Sequence, residues 1–371
     1  MLLWYNRRAE KAAGEAAESA VWPMIPSEII TLGLETTCDE TGAAIVAGGT
    51  RVLSSVVWSQ TALHERFGGV VPEIAARAHL EKLNTLVDVA LKEAGIAPHR
   101  LSAIAVANSP GLVGCLLVGV SAAKGFAFAW DRPLVCVNHV HAHIYAAALG
   151  QVGAPPGTPP ELPALGLIIS GGHSALYRVE NYADFRRLGS TLDDAVGEAF
   201  DKVAAILQLG YPGGPRLEAL ARHGNSRAIA FPVSLLAANS LDFSFSGLKT
   251  AVRYFVNGRQ GSQRTAAELT DSQKADVAAS FQFAVGEALS IKLQRALAAR
   301  DVKSVIVGGG VAANSYIRGR LAHVAEQAGI PLHLPAMNYC TDNAAMIAGL
   351  GGQLFAGGVR SGLDAAVIAT A

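Results

Sequence analysis

Three histidines fall within five residues in the run HVHAH, residues 139–143. A strand end over Val135–Val137 and a capping Asn138 place them at the start of a helix that continues through IYAAAL. On that helix His139 and His143 share one face, one turn apart, while His141 points elsewhere. Such a pair can hold a metal ion if one or two further ligands arrive from another part of the chain. The alternative is a pair of hydrogen-bonded histidines lining a cleft. A zinc protease of the HExxH type needs a glutamate after the first histidine, and residues 140–142 are Val, His and Ala, so that chemistry is excluded. Far along the chain, CTDNAAMIAG offers Thr341 as a helix cap and Asp342 in the first helical turn. Asp342 would complete a site of two histidines and one carboxylate with open coordination positions.

Two glycine turns form a second group of candidates. SGGHS, residues 170–174, joins two apolar strands and leaves backbone N–H groups to face an anion. GGGVAAN, residues 308–314, runs from a strand into a helix, where a nucleotide can approach the backbone. Neither is a P-loop, since GxxxxGK[ST] does not occur. The segment LDDAVGEAFDKVAAIL is expected within a helix over Thr191–Leu207, with Asp194, Glu198 and Asp201 on one stripe and Ala195, Val203 and Leu207 opposite. One of those carboxylates is expected to face the cleft and bind ligand hydroxyls; a solvated helix face is the alternative.

The elements that must position these residues follow from hydrophobic pattern. EIITLGLETTCDETGAAIVAGG is two apolar strands around a polar turn, a β-hairpin. VVPEIAARAHLEKLNTLVDVALKEAG has helical periodicity and ends in a glycine stop. The uncharged run Leu101–Ala123 reaches membrane-spanning length, but Asn108, Ser109, Pro110 and Gly111 break it into a buried strand, a turn and a helix. GQVGAPPGTPPELPA, residues 150–164, has the composition of a linker. Directly after it, ALGLIISGGHSALYRVEN repeats the strand–turn–strand pattern, so the chain reads as a duplicated α/β fold with a cleft between its halves. The expected division is a poorly ordered extension over 1–27, a lobe over 28–150 completed by 345–371, a linker over 151–164 and a second lobe over 165–344.

Composition narrows the class further. Of 371 residues, 51% are hydrophobic and 16% charged, which argues against disorder. The 39 glycines exceed the roughly 26 of an average chain of this length, as in phosphate-handling α/β proteins. Lys plus Arg and Asp plus Glu both number 30, so no dominant basic stripe for nucleic acid is expected. Cys38, Cys115, Cys136 and Cys340 contain no CxxC pair and read as reduced thiols of a cytoplasmic protein.

In order, LGLETTCDETGAAIV, HERFGGVVPEIAARAH, SPGLVG, NHVHAH, SGGHS, GEAFDK, YPGGP, DFSFSGLK, GGVAAN and CTDNAAMIA resemble the tRNA threonylcarbamoyladenosine transferase family, once misnamed a sialoglycoprotease. The resemblance spans about residues 29–358. It implies an actin-like, sugar-kinase-like fold and transfer of threonylcarbamoyl from threonylcarbamoyl-AMP to N6 of adenosine 37 in tRNAs reading ANN codons. It also implies His139, His143 and Asp342 as ligands of one divalent ion, iron or zinc. Ile168, Ile169, Ser170, Gly171 and Gly172 match a ligand-binding strand and turn, and Asp201, Gly214 and Asn314 match further ligand contacts. Asp39 and Glu40 match an acidic pair, either of which is a candidate to accept the N6 proton. Glu218, after YPGG, stands at a position that varies in the family, and its role stays open. A paralogous subunit and a small ATPase are the implied partners, with no membrane. The rival readings are a carbamoyltransferase acting on a small molecule, a sugar kinase or ATPase, and a scaffold without activity.

Overall fold

The computed structural model describes residues 25–234, 237, 239–258, 265–299 and 301–370, so all but the last three residues of the expected 1–27 extension lie outside the described part. Strands β1 (Ile30–Glu35), β2 (Glu40–Ala47), β3 (Arg51–Ser59), β4 (Ala103–Ser109) and β5 (Leu134–Asn138) form one sheet in the order β3-β2-β1-β4-β5. Strands β6 (Ala164–Ile169), β7 (Ser174–Asn181), β8 (Asp184–Ser190), β9 (Ser304–Gly308) and β10 (Leu332–His333) form a second, in the order β10-β9-β6-β7-β8. In both sheets the first three strands are an antiparallel meander, and the two added on the other side of the first strand are parallel to it. The second sheet is therefore the first repeated in topology, as the duplicated hairpins led one to expect.

The central strands are buried along almost their whole length because both faces of the sheet are covered. In the first sheet Leu32, Leu34, Ile104 and Val106 join Leu83 and Val87 of α1 (Pro72–Ala94), on the side also covered by α2 (Val113–Trp130). Ala44, Val46, Ala105 and Val137 meet the C-terminal helix α9 (Ala344–Ala356) on the other side. Helix α2 has the length and composition of a membrane span, yet Val120, Ala123 and Ala127 on its inner face are part of this core. Small residues let α9 lie close. A Cβ added to Gly33 would sit 2.3 Å from the Ala344 carbonyl oxygen, so glycine there is a condition of the packing. The chain thus returns at its end to the first sheet and delivers Asp342 beside β1.

The second sheet carries the other large core, with Leu165, Leu167 and Leu176 packed near α4 (Val196–Ile206) and the long helix α7 (Asp271–Ala298). Thr270 starts α7 with a reciprocal cap. Its hydroxyl accepts from Gln273 N at 3.2 Å and its own N–H donates to the Gln273 side chain at 2.9 Å. The expected helix over Thr191–Leu207 begins only at Val196. The reason lies elsewhere in the chain: Asp193 accepts from the backbone N–H of Phe245 (2.8 Å) and Ser246 (3.2 Å) at the start of α6 (Ser246–Asn257), which holds its own backbone out of the helix. Likewise α9 is capped by Asn343, which accepts from Met346 N at 3.0 Å, so Thr341 is not the cap and Asp342 lies just before the helix.

Candidate metal centre and cleft

Helix α3 (His139–Tyr145) leaves β5 with Asn138 as its cap, accepting from His141 N at 3.1 Å. It runs between the two sheets. A Cβ on Gly308, at the end of β9, would lie 2.2 Å from the His143 carbonyl oxygen, so the second lobe abuts this short helix directly. His141 turns away and stacks on Phe185, ring centroids 4.1 Å apart. His139 and His143 turn the other way, towards Asp342.

His143 Nε2 lies 3.1 Å and His139 Nε2 3.5 Å from Asp342 Oδ1, and one ligand atom from each residue lies within 4.8 Å of the others. Two imidazole nitrogens and a carboxylate oxygen gathered this closely fit a divalent cation. Glu35, fully buried at the end of β1, accepts from His139 Nδ1 at 2.9 Å with one oxygen and from Thr37 N at 2.6 Å with the other. With one proton held at Nδ1, His139 would present its Nε2 lone pair to a bound cation. Burial disfavours a charged His139, but the carboxylates of Glu35 and Asp342 outweigh it and raise the ring well above its ordinary range. Burial also works against an ionised Asp342, and the two imidazoles overcome that and hold the carboxyl well below its usual value. The buried Nδ1 of His143 has no hydrogen-bond partner among the described residues, while its Nε2 faces Asp342.

Around this centre the two hairpin turns differ in character. The β1–β2 turn carries Cys38, Asp39 and Glu40. Burial and then the charges of Asp342 and Asp39 push Glu40 up to about 9, which favours its neutral acid form. Burial first, and Asp39 second, also push the Cys38 thiol far up, which makes it a poor nucleophile. The β6–β7 turn presents Gly171 and Gly172 to open space, while Ser170 N donates to the His173 carbonyl at 2.8 Å and fixes the bend. Ile168 and Ile169 are fully buried, so their side chains pack in the core and only backbone atoms can reach a ligand. Asp201 accepts from Gly213 N (2.9 Å) and Gly214 N (3.1 Å) at the start of α5 (Gly213–Ala221), both at Oδ1.

Of the acidic stripe expected on α4, Asp201 alone is turned towards a glycine turn. Asp194 is bound by Lys202 and Lys249, and Glu198 shares Lys202. Asn314 caps α8 (Ser315–Gln327), accepting from Ile317 N at 3.0 Å, and its amide donates to Gln282 at 2.8 Å. Next to it is a hollow of about 390 Å³ lined among others by Gln282, Ser315, Tyr316 and Glu218, and Glu218 accepts from the Ser315 N–H at 3.0 Å. Glu35, Tyr211 and His173 were not singled out from sequence. Burial first, and then the charges of Asp39 and Asp201, push the Tyr211 hydroxyl up, so the acidic turn is within electrostatic reach of it. His173 is driven down to about 4, first by burial and then by the neighbouring imidazoles, and stays neutral beside them.

Two duplicated sheets with a shared cleft place the chain in the actin-like, sugar-kinase-like class. HypF from T. kodakarensis superposes with a TM-score of 0.59 at 16% identity, over 90% of this chain and 49% of that one. Component A of (R)-2-hydroxyglutaryl-CoA dehydratase from Acidaminococcus fermentans gives 0.50 at 16% identity, covering 89% and 99%. The family profile described as tRNA N6-adenosine threonylcarbamoyltransferase matches residues 51–349, and the chain belongs to that family. Relatives of that name include one from Moorella thermoacetica, 52% identical over 87% of this chain and 91% of its own. Another, from Symbiobacterium thermophilum, is 50% identical over 91% and 95%.

Proposed function

We propose that this protein transfers the threonylcarbamoyl group of threonylcarbamoyl-AMP to N6 of adenosine 37 in tRNAs that read ANN codons, working in the cytoplasm with a paralogous subunit and a small ATPase. The observation that carries this reading is the approach of Asp342 to both imidazoles beside a glycine turn, in a chain of this family. His139, His143 and Asp342 would hold one iron or zinc ion, and a bound cation there supplies a Lewis acid for developing negative charge on oxygen.

The donor is a mixed anhydride, already activated, and the acceptor is a weakly nucleophilic aromatic amine. The gain therefore comes from placement and charge stabilisation. The N6 nitrogen forms a bond to the carbamoyl carbon, the bond from that carbon to the phosphate oxygen breaks, and AMP departs with the electron pair. Gly171 and Gly172 offer N–H groups to the phosphate. Asp201 and Gly214 bind hydroxyls of the donor, and Asn314 lies by the hollow suited to its nucleoside. Glu40, held neutral, leaves Asp39 to take the proton lost from N6. A chain with zero net formal charge gains little from counterion release, which is why partner proteins are invoked for RNA docking.

The deciding experiment incubates the metal-loaded chain with threonylcarbamoyl-AMP labelled in the threonine, tRNA and the two partners. Label in the modified nucleoside of digested tRNA is expected. Label found only in a small carbamoylated molecule, with tRNA untouched, would favour the small-molecule carbamoyltransferase instead.

A further inference from the structure

The segment between β3 and α1 crosses the mouth of the cleft with its largest side chains facing outwards. Its base is pinned to the acidic turn: Gln60 N donates to the Asp39 carbonyl at 3.0 Å, and Ser59 Oγ to Glu40 at 3.3 Å. Inside, the buried His64 pairs with Gln60 Oε1 at 3.1 Å and accepts from Val71 N at 3.3 Å, closing residues 60–71 into a strap. On the far side Glu65 reaches Arg216 of α5 at 3.5 Å, beside the glycines that bind Asp201. The strap therefore runs from the Asp39–Glu40 turn to the Tyr211–Gly214 turn.

Its crest is Arg66 and Phe67, followed by Gly68 and Gly69. Phe67 is 49% exposed, and the Arg66 guanidinium lies 4.7 Å from the ring centroid. The internal contacts of the strap are made by His64 and Gln60, so its fold does not need Phe67 where it stands. We propose that Arg66 and Phe67 form a stacking platform for an unpaired base of the tRNA anticodon loop, next to the adenosine that enters the cleft. This rests on the function proposed above. An N6 amino group in a nucleic-acid loop is reachable only if its base leaves the stack, and a neighbouring base then needs a new stacking surface. Aromatic rings and arginine planes are what proteins use to bind splayed single-stranded RNA, and the positive charge of Arg66 suits the phosphates on either side.

The test compares the wild type with Phe67→Ala, Phe67→Trp and Arg66→Ala, all at exposed positions, in the metal-loaded chain with its partners. Each is measured for the KM of tRNA, the KM of donor and kcat. Binding is read separately, from the fluorescence of an anticodon stem-loop RNA carrying 2-aminopurine beside the target adenosine. Phe67→Ala is expected to raise the KM of tRNA and weaken stem-loop binding by roughly 5- to 100-fold, the worth of one base–aromatic stack. The KM of donor should stay unchanged, Phe67→Trp should bind as well as wild type, and 2-aminopurine quenching should disappear in Phe67→Ala. Stem-loop binding unchanged within two-fold in Phe67→Ala overturns the proposal. So does weakened association with the paralogous subunit while RNA binding is intact, which would make the strap a protein contact. Because the binding arm needs no turnover, a chain that transfers nothing to tRNA removes the proposed function and still leaves the strap to be judged.

Discussion

The two sheets share strand order and register, yet their equivalent positions carry opposite chemistry. Thr31 pairs with Ala103 in the first sheet and Ala164 with Ser304 in the second, which aligns Leu32, Gly33 and Leu34 with Leu165, Gly166 and Leu167. The next position is Glu35 in one and Ile168 in the other, both fully buried. The turns that follow differ in the same sense, Cys38–Asp39–Glu40 against Gly171–Gly172–His173. An isoleucine there stabilises a core at no electrostatic cost, whereas a carboxylate pays several kcal/mol for desolvation unless it is fully bonded. A duplicated fold that keeps the costly version in one copy has divided its labour: one lobe aims a histidine with a buried carboxylate, and the other, in the function proposed above, offers backbone N–H groups to an anion.

The largest effect expected from this division is at the junction. Asp342→Ala removes one of three ligand atoms, and loss of an outer partner alone costs 10- to 100-fold, so metal affinity should fall more than roughly 100-fold with transfer falling in parallel. Metal content after dialysis, set against thermal stability, measures it. A variant that retains full metal occupancy would separate Asp342 from the site.

Next comes Glu35, where the lobes differ most sharply. Both of its oxygens accept, one from Thr37 N and one from His139 Nδ1. In Glu35→Gln one of those two donors faces an amide NH2. If that donor is His139, its proton moves to Nε2 and the lone pair offered to a cation is lost. Affinity in competition with a chelator should drop about 10- to 100-fold while the fold persists. Affinity within two-fold of the wild type would mean that the buried charge serves only the Thr37 turn.

Glu40 gives a smaller, pH-dependent effect. Its folded pKa of about 9 lies above the ordinary 4.5, so the folded state favours the protonated acid. Its contribution is fully present below pH 4.5 and is lost as pH rises towards 9. In metal-free protein Glu40→Gln should therefore match the wild type near pH 4 and exceed it at pH 8. An advantage on the order of 1 kcal/mol, a degree or two in Tm for a chain of this size, is enough to detect. A Tm difference that does not change with pH would show that Glu40 ionises freely, and would return it to candidacy as the proton acceptor.

How much of this was legible before folding depended on how far apart the partners lie. Hairpins, the glycine stop of α1 and the cap at Asn138 are local, and periodicity and residue type suffice for them. The gathering of His139, His143 and Asp342 was legible through the i, i+4 spacing of the histidines and through resemblance, since nothing local ties Asp342 to His143, 199 positions away. Glu35 was passed over because an acidic residue ending an apolar strand reads as the edge of a turn, and its histidine is 104 residues on. The same non-locality misplaced the start of α4. Asp193 looks like a helical residue until Phe245 and Ser246 claim its oxygens. Thr341 and Asn343 are both good caps, and only the seat of α9 on the first sheet selects between them.

The glycine lobe supplies the finest contrast, because two of its glycines do different jobs a few ångströms apart. A Cβ on Gly171 meets no atom of the described residues within 4 Å, while one on Gly197 would lie 2.7 Å from the Ser170 carbonyl oxygen and 2.8 Å from Gly171 N. Gly197 therefore lets α4 press against the back of the bend, and Gly171 leaves its front bare for a ligand. Gly197→Ala is expected to cost about 1–3 kcal/mol in chemical denaturation, since the contact is with backbone that cannot swing aside. Gly171→Ala should leave stability almost unchanged and instead raise the KM for threonylcarbamoyl-AMP, because a methyl group then stands where the proposed phosphate contact would form. If Gly171→Ala changes neither quantity, the anion is not bound at this bend, and the division between an acidic lobe and a donor lobe loses its second half.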